Sequence, residues 1–384
     1  MSFYEEEYKK IPADIIRRKI YGATDSDVKR ALLLAPSRIS YDDFLALLSP
    51  RAEGFIGAMS RKSRALTLKY FGRNINLYAP LYLSNFCSNT CRYCGFNAAT
   101  GGAFVRRKLT PDEIAAEGDW LKKQGFQSVL LLTGESPEQA GADYVLEAVN
   151  ILKKKFSFIG LEIFPTDEKN YKRFALAGVS GLTIYQETYN RETYLDVHPS
   201  GPKRDFLYRL ETPERALASG IRRVGIGALL GLHGDWREDI AYLGLHAEYL
   251  AKKFWRSEIT ISFPRLRECA SDFTPRYNVS DKEIAWMIFA MRIWQPHSAI
   301  LLSTRERQEF RDSLIGWGVT MMSAASKTSP GGYSVYKDDE KESGQFYVSD
   351  KRGVAEVVRA ITSRGCWAVF KDWDPNFSAI DTTL

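Results

Sequence analysis

Hydrophobic residues recur at two different spacings along this chain, and the change of spacing divides it. Through residues 1–75, apolar positions follow the helical period, as in Thr24 to Leu34 and Gly54 to Tyr70. From Ile75 onward, short apolar runs alternate with longer segments of helical period. The pattern predicts a helical N-terminal extension followed by repeated strand–helix units.

Eight candidate strands lie in the repeating region, and local signals mark the helices between them. Capping boxes predict helix starts at Thr110 and Ser280, and a Thr–Pro pair predicts another at Thr212. Glycines such as Gly125 and Gly178 predict helix ends. The candidate strands are Asn76–Leu83, Ser128–Leu132, Gly160–Phe164, Gly181–Tyr185, Arg223–Leu230, Glu258–Phe263, Ala299–Ser303 and Val319–Ser323.

Strand–helix units repeated this often favour a parallel sheet closed into a barrel, so the sequence predicts an α/β fold with a (β/α)8 barrel of the TIM type. We assign residues 1–75 to the helical extension, 76–323 to the barrel and 324–384 to a short C-terminal tail. In the tail, the polar segment Tyr336–Gln345 predicts a mobile surface loop, and Trp367–Phe370 predicts a short strand. A doubly wound sheet would instead carry a glycine-rich turn after its first strand.

Cysteines occupy the loop after the first candidate strand. Three of the five cysteines, Cys87, Cys91 and Cys94, have the spacing C-x-x-x-C-x-x-C. Thiolates this close together indicate a [4Fe–4S] cluster held by three cysteines, which leaves one iron without a protein ligand. The loop follows a strand at its carboxyl end, where the chemistry of a barrel belongs. This spacing resembles the signature of radical S-adenosylmethionine (SAM) enzymes, in which SAM occupies the open iron.

Other interpretations of the cysteines fit less well. A structural zinc ion takes four ligands, but Cys269, Cys366 and the four histidines are isolated in the sequence. A disulfide framework is disfavoured in a long chain with an odd number of cysteines. A simple iron–sulfur electron carrier needs neither an open iron nor a large barrel.

Charge and composition exclude several classes of protein. The net charge of +6 is spread along the chain, which argues against a nucleic-acid footprint. No apolar run is long enough to span a membrane. The acidic, polar first ten residues do not predict a signal peptide, and reduced cysteines then indicate the cytoplasm.

Beyond the cysteines, the sequence resembles the aromatic amino acid lyases of the radical SAM superfamily nearly end to end. The resemblance begins with Leu81–Asn85 before the first cysteine and Cys94-Gly95-Phe96 after the last. Further matching stretches are Thr133–Glu135, Tyr185–Tyr189, Arg209–Pro213, Gly225–Leu229, Ser262–Arg267, Leu302–Glu306 and Lys371–Asp374.

The resemblance implies a reaction and its partners. SAM is cleaved to methionine and 5′-deoxyadenosine, and the Cα–Cβ bond of L-tyrosine is broken to give 2-iminoacetate and p-cresol for the thiazole ring of thiamine. Flavodoxin or ferredoxin is the implied electron donor, and a complex with thiazole synthase is the implied route for the unstable imine. Tryptophan or another aromatic substrate is the alternative. A related tyrosine lyase of hydrogenase maturation carries a second cysteine-bound cluster in a longer C-terminal domain, whereas this tail contains only Cys366.

The resemblance also implies contacts with SAM. Gly134 and Glu135, after the second strand, match the segment that binds the SAM amino group, although an acid there also suits a helix N-terminus. Gln186 and Glu187 are candidates for the ribose or amino acid moiety, or else form a surface turn. Glu162 faces either the barrel mouth or solvent.

Three more residues complete the predicted SAM site. Arg209 is placed to reach a carboxylate. Gly227 lies within a strand, where glycine indicates close approach of another group, either the adenine or a packed helix. Tyr93, between the last two cysteines, is the third candidate.

The substrate is expected beside the end of the seventh strand. The resemblance places an arginine there for the amino acid carboxylate, which corresponds to Arg305, with Ser303 and Ser323 adding hydrogen bonds. A surface Arg–Glu pair is the alternative interpretation. The basic run Arg106-Arg107-Lys108 is either a docking site for the electron donor or a solvated surface. Cys269 is more typical of a small apolar filler than of a nucleophile.

Overall fold

Strands and helices alternate along most of the described chain. The computed structural model describes residues 2–100, 104–267, 271, 273–337 and 343–371. Its strands are β1 (Asn74–Ser84), β2 (Ser128–Thr133), β3 (Phe158–Glu162), β4 (Gly181–Thr183), β5 (Arg223–Gly227), β6 (Glu258–Ser262), β7 (Ala299–Leu302), β8 (Met321–Ser323) and β9 (Trp367–Val369).

The first eight strands close into a parallel barrel. Each strand pairs with the next in sequence, and β1 closes the ring by pairing with both β2 and β8. The predicted (β/α)8 fold is therefore confirmed. The predicted strands lie where expected, apart from their ends: the strand predicted to reach Leu230 ends at Gly227, and Ala228 and Leu230 make only isolated bridges.

Helices surround the barrel and precede it. They are α1 (Phe3–Glu6), α2 (Ala13–Gly22), α3 (Asp25–Leu33), α4 (Tyr41–Leu48), α5 (Ile56–Phe71), α6 (Pro111–Lys123), α7 (Ala142–Leu152), α8 (Glu168–Ala177), α9 (Arg191–Val197), α10 (Phe206–Leu210), α11 (Thr212–Ala218), α12 (Trp236–Lys253), α13 (Asp281–Trp294), α14 (Gln308–Ser313) and α15 (Val354–Ser363).

The sequence signals for helix ends are mostly confirmed. Thr110 and Ser280 form the predicted capping boxes, and Gly178 ends α8 in the left-handed conformation with φ of 109°. The predicted cap at Thr212 is wrong. Thr212 is already helical, and its hydroxyl donates to the carbonyl oxygen of Tyr208 at 2.8 Å.

The N-terminal helices pack on one side of the barrel, against α12 and α13. The Phe44 ring stacks on Trp294 with centroids 5.3 Å apart. A Cβ at Gly244 would lie 2.3 Å from Phe44, so α12 needs a glycine where α4 crosses it. The indole N–H of Trp286 donates to the carbonyl oxygen of Leu47 at 2.6 Å.

The tail returns to the barrel instead of standing apart from it. The predicted short strand is present as β9, which pairs in parallel with the first residues of β1. Val369 and Phe370 line an apolar cavity of about 580 Å³ at the amino-terminal end of the barrel. The division of the chain at residues 75 and 323 stays a prediction.

Candidate active site

The cysteine loop begins where β1 ends, at the carboxyl end of the barrel. The register between β1 and β2 shifts between Tyr82 and Ser84, as a β-bulge does beside many active sites. The backbone N–H of Gly134 donates to the carbonyl oxygen of Ser84 at 2.8 Å. A Cβ on Gly134 would lie 2.2 Å from the carbonyl oxygen of Phe86. Glycine is therefore needed at 134 because the loop after β2 lies directly on the cysteine loop.

Cys87, Cys91 and Cys94 line one cavity of about 600 Å³, which we call the cysteine lobe. Burial raises the pKa of Cys91 well above its usual range, and the nearby Lys203 opposes this only partly. Among the described residues, no three ligating side chains surround a position for a single metal ion. A cubane cluster does not need such a position, because each thiolate binds a different iron. Three soft thiolate donors facing one space fit a [4Fe–4S] cluster.

Four charged side chains in the cysteine lobe pair with one another. The Arg209 guanidinium lies 2.8 Å from Glu135 and 3.5 Å from Glu187, and Lys203 lies 2.7 Å from Glu187. Burial alone would raise the pKa of Glu135, but Arg209 and Lys203 outweigh it and hold this pKa below its usual range. Asn89 donates to the other oxygen of Glu135 at 2.9 Å. The polar wall of this lobe is therefore assembled by the protein itself.

The turn after β4 aims Glu187 into the cysteine lobe and Gln186 away from it. Glu187 has φ of 70°, which is uncommon for a residue with a side chain. The next backbone turn is held by Asp239, whose carboxylate accepts from the backbone N–H of Tyr189 at 2.7 Å. The Gln186 amide donates to the carbonyl oxygen of Phe206 at 3.3 Å and does not line the lobe.

A second lobe of about 500 Å³ adjoins the first, and we call it the arginine lobe because Arg305 lines it. Its wall is mixed, and it includes the aromatic rings of Tyr78 and Phe346. The residues that line both lobes are Tyr82, Leu132, Glu162, Tyr185 and Gln345. The two lobes are therefore parts of one site at the carboxyl end of the barrel.

Glu162 and Arg305 carry opposite charges in the arginine lobe but no polar partner. Neither side chain makes a hydrogen bond or a salt bridge with the described residues, although the Arg305 guanidinium lies 3.4 Å from the centre of the Phe346 ring. Burial raises the pKa of Glu162 to about 7, and Arg305 counteracts this in part. The lobe thus presents one acidic and one basic group to a ligand.

The two predicted serines lie in the arginine lobe with Arg305. Ser303 Oγ accepts from the backbone N–H of Arg305 at 3.3 Å, and Ser323 Oγ accepts from the backbone N–H of Thr304 at 3.1 Å. The Ser303 hydroxyl keeps its own proton for donation to a ligand, whereas the Ser323 hydroxyl also hydrogen-bonds with Tyr78.

Like Gln186, the predicted residues Gly227 and Tyr93 line neither lobe, and the same holds for Arg265 and Arg267 of the matching stretch Ser262–Arg267. Gly227 is covered within the barrel, because a Cβ there would lie 2.7 Å from the Tyr185 ring. The Tyr93 hydroxyl lies 2.7 Å from Nε2 of His198. Arg265 and Arg267 both pair with Glu306. Cys269 lies outside the described residues.

Sequence reasoning missed Lys203 and Gln345. The predicted mobile surface loop is wrong where the structure describes it: Ser343 is fully buried, and Gln345 contacts Cys94. The one signal in the sequence was Gly95, which indicates a close backbone approach without saying what approaches.

The basic run after the cysteine loop is engaged within the protein. The Arg106 guanidinium donates to the carbonyl oxygens of Asn85, Phe96 and Asn97 at 2.7–2.9 Å. Arg107 lies over the Tyr336 ring and Lys108 over the Tyr144 ring. Arg106 therefore helps to hold the cysteine loop. Docking of an electron donor here stays a prediction.

With the geometry established, comparison with known proteins defines the class. Residues 81–243 match the Radical SAM superfamily, and residues 262–366 match the Biotin and Thiamin Synthesis associated domain. The barrel and its cysteine loop are thus those of a radical SAM enzyme, a class that implies a [4Fe–4S] cluster and SAM.

The particular family follows from full-length relatives. The chain is 38% identical over 374 residues to 2-iminoacetate synthase of Salmonella typhimurium, covering 97% of both chains. Its identity to 2-iminoacetate synthase of Escherichia coli is also 38%, with the same coverage. The chain belongs to the 2-iminoacetate synthase family of radical SAM aromatic amino acid lyases.

A solved structure supports the same relationship. The FeFe-hydrogenase maturase HydG from Carboxydothermus hydrogenoformans matches with a TM-score of 0.85 and 31% identity, over 95% of this chain and 85% of that one. None of the helices in the described ranges combines the length and apolar character needed to cross a lipid bilayer.

Proposed function

We propose that this protein cleaves the Cα–Cβ bond of L-tyrosine to 2-iminoacetate and p-cresol, converting SAM to methionine and 5′-deoxyadenosine, for the thiazole ring of thiamine. The observation that carries the proposal is the arginine lobe. It joins the cysteine lobe and offers Glu162 and Arg305, which have no polar partner among the described residues, beside the rings of Tyr78 and Phe346. An aromatic amino acid zwitterion has the complementary charges and ring.

The cysteine lobe holds the cofactors in this proposal. Cys87, Cys91 and Cys94 bind the [4Fe–4S] cluster through their thiolates. When bound, the cluster and SAM supply one electron and the 5′-deoxyadenosyl radical that abstracts a hydrogen atom from the substrate. Glu135 and Glu187 lie beside the cysteines, and their carboxylates accept hydrogen bonds from the SAM amino group and ribose.

The remaining predicted SAM contacts have different support. Arg209 already donates to Glu135 and to the carbonyl oxygen of Tyr185, so we propose that it orients Glu135 and reaches SAM with its free N–H groups. Gly134 lies against the cysteine loop, and this close approach supports a SAM-binding role for the backbone beside Glu135. Contacts of Tyr93, Gln186 and Gly227 with SAM stay predictions, because these residues line neither lobe.

The arginine lobe orients the substrate. Arg305 forms a bidentate pair with the tyrosine carboxylate, and Ser303 and Ser323 donate to the same end of the molecule. Glu162 lies at the junction of the lobes, where it accepts hydrogen bonds from the substrate amino group and takes its proton. We therefore assign Glu162 to the substrate, although the sequence resemblance suggested SAM. Holding both ends of the zwitterion turns the amino nitrogen toward the cysteine lobe.

Two protein partners belong to the proposal. An acidic flavodoxin or ferredoxin supplies the electron. A complex with thiazole synthase passes on the imine, which hydrolyses when it is free. The chemistry of the imine supports such a transfer.

The test is anaerobic reconstitution with iron and sulfide, followed by SAM, reductant and either tyrosine or tryptophan. We expect 5′-deoxyadenosine and p-cresol to form together from tyrosine. Release of a tryptophan fragment in place of p-cresol would favour the alternative substrate. Reconstituted Arg305→Gln is the matched control, because it should form the cluster and lose coupling to tyrosine.

The hydrogenase-maturation activity is the less favoured alternative. Cys366 is the sole cysteine after residue 324, and it is buried next to Gly316, where a Cβ would lie 3.4 Å from its sulfur. Within residues 324–384, one buried thiol offers too few ligands for a second cluster. We therefore expect no carbon monoxide from the tyrosine reaction, and its detection would favour this alternative.

A further inference from the structure

Gln345, from the C-terminal segment, contacts the third cysteine directly. Its side-chain nitrogen Nε2 lies 3.8 Å from Sγ of Cys94, within hydrogen-bonding range for sulfur. The Tyr82 hydroxyl donates to Oε1 of Gln345 at 2.7 Å. Because Tyr82 holds the oxygen end of the amide, the NH₂ end faces the sulfur.

The backbone around Gln345 is fixed from two sides. Its carbonyl oxygen accepts from the N–H of Gly95 at 3.2 Å, and its own N–H donates to the carbonyl oxygen of Thr328 at 3.1 Å. Thr328 Oγ1 also donates to the carbonyl oxygen of Phe346 at 2.9 Å. A Cβ at Gly95 would lie 2.7 Å from the carbonyl oxygen of Gln345. The residue after the third cysteine is therefore glycine because the C-terminal segment packs directly against it.

We propose that Gln345 is a positioning residue for the cluster, whose N–H···S hydrogen bond to Cys94 raises the cluster's reduction potential. The inference rests on the [4Fe–4S] cluster of the proposed function. Reduction by one external electron adds negative charge that is shared by the thiolate sulfurs. A hydrogen-bond donor on sulfur stabilises the reduced form more than the oxidised form.

The test is a reductive titration with dithionite, followed by the electron paramagnetic resonance signal of the reduced cluster. Gln345→Met keeps the length and volume of the side chain and removes the N–H donor. We expect about a tenfold smaller equilibrium constant for reduction, which corresponds to about 59 mV for one electron. Tyr82→Phe should shift the potential less and in the same direction, because the amide remains but loses its fixed orientation.

Gln127→Leu is the matched control, since its side-chain oxygen accepts from Lys122 and it lies just before β2, at the other end of that strand from the cysteine loop. It should leave the potential unchanged. Equal potentials in wild type, Gln345→Met and Tyr82→Phe would overturn the inference while leaving the proposed function intact. If the wild type takes up no cluster by iron and sulfide analysis, the proposed function itself fails. Tyr82→Phe tests the same bond if Gln345→Met takes up the cluster poorly.

Discussion

In the cysteine lobe, Glu135, Glu187, Lys203 and Arg209 satisfy one another, whereas Glu162 and Arg305 in the adjoining lobe have no polar partner among the described residues. Both side chains are half-buried, so leaving them without a partner costs less free energy than full burial would, and a ligand of opposite charge can recover that cost. The first arrangement is typical of a preassembled wall for a cofactor. The second is typical of a binding site whose charged groups gain their partners when the substrate binds.

This difference has a thermodynamic consequence. Removing one member of a paired set leaves its partner buried and alone, so the fold loses stability. Removing a charge without a polar partner leaves no ion-pair partner buried and alone, so it should affect ligand binding more than the fold. Substitutions in the two lobes should therefore separate stability from activity.

The largest effect should come from the thiolates themselves. Cys94→Ala removes one of three cluster ligands, so the cluster should be lost or unstable and tyrosine cleavage should fall at least about 1,000-fold, or about 4 kcal/mol. Iron and sulfide content and 5′-deoxyadenosine formation measure both outcomes. Cys366→Ser is the matched control, because this cysteine lies at the other end of the barrel and should be dispensable. Full iron content in Cys94→Ala would contradict the assignment.

Breaking the paired lobe should chiefly affect the fold. Arg209→Gln leaves Glu135 and Glu187 without their guanidinium, so we expect a loss of about 3–5 kcal/mol in the free energy of unfolding. Urea unfolding under anaerobic conditions measures it. Arg305→Gln is the comparison and should cost only about 1 kcal/mol or less, because it loses the contact with the Phe346 ring and no ion pair. Similar destabilisation by both variants would remove the distinction between the lobes.

Breaking the unpaired lobe should chiefly affect the substrate. Arg305→Gln loses the bidentate pair to the tyrosine carboxylate, so kcat/KM for tyrosine should fall about 100-fold, or about 3 kcal/mol. Cleavage of SAM without tyrosine should be unchanged. Arg307→Gln, which loses an exposed pair with Asp281, should change kcat/KM less than about twofold. Loss of SAM cleavage in Arg305→Gln would instead place this arginine in the cofactor site.

The barrel was predictable from the sequence because the signals for its strands and helix ends lie within a few residues of each element. Buried parallel strands appear as short apolar runs, and Thr110, Ser280 and Gly178 mark helix ends through bonds to their immediate neighbours. Thr212 misled because a Thr–Pro pair is compatible with both the cap and the first helical turn. The cluster motif was predictable for the same reason, because its three cysteines lie close together in the sequence.

The composition of the lobes was only partly predictable. Glu135 and Arg305 follow strands whose carboxyl ends meet, so the topology brings them to one end of the barrel. Lys203 and Gln345 reach the same place from segments far away in sequence, and nothing near them signals a ligand. Glu162 could not be assigned to either face from its strand, because alternate residues point in opposite directions.

The smallest expected effect concerns Glu162, and it has a distinctive pH dependence. Burial raises its pKa from 4.5 to about 7, so the carboxyl is neutral below this pH and attracts the substrate ammonium poorly. The kcat/KM for tyrosine should rise with pH through about 7 in the wild type. Glu162→Gln should lower the upper plateau about tenfold, or about 1.4 kcal/mol, and flatten this limb of the profile. Glu147→Gln, an exposed change on α7, should keep the wild-type profile.

The same raised pKa predicts that Glu162→Gln makes the protein more stable. A carboxyl that binds its proton more tightly in the folded state contributes stability that is fully present below pH 4.5 and is lost as the pH rises through about 7. The glutamine has no proton to lose, so at pH 8 the variant should gain about 1–2 kcal/mol, reduced from the full value because the lobe is partly open to solvent. Urea unfolding at pH 5 and pH 8 measures the difference. A variant that is destabilised at pH 8 would mean that Glu162 has a partner in the protein. The charges of the arginine lobe would then be paired, as those of the cysteine lobe are.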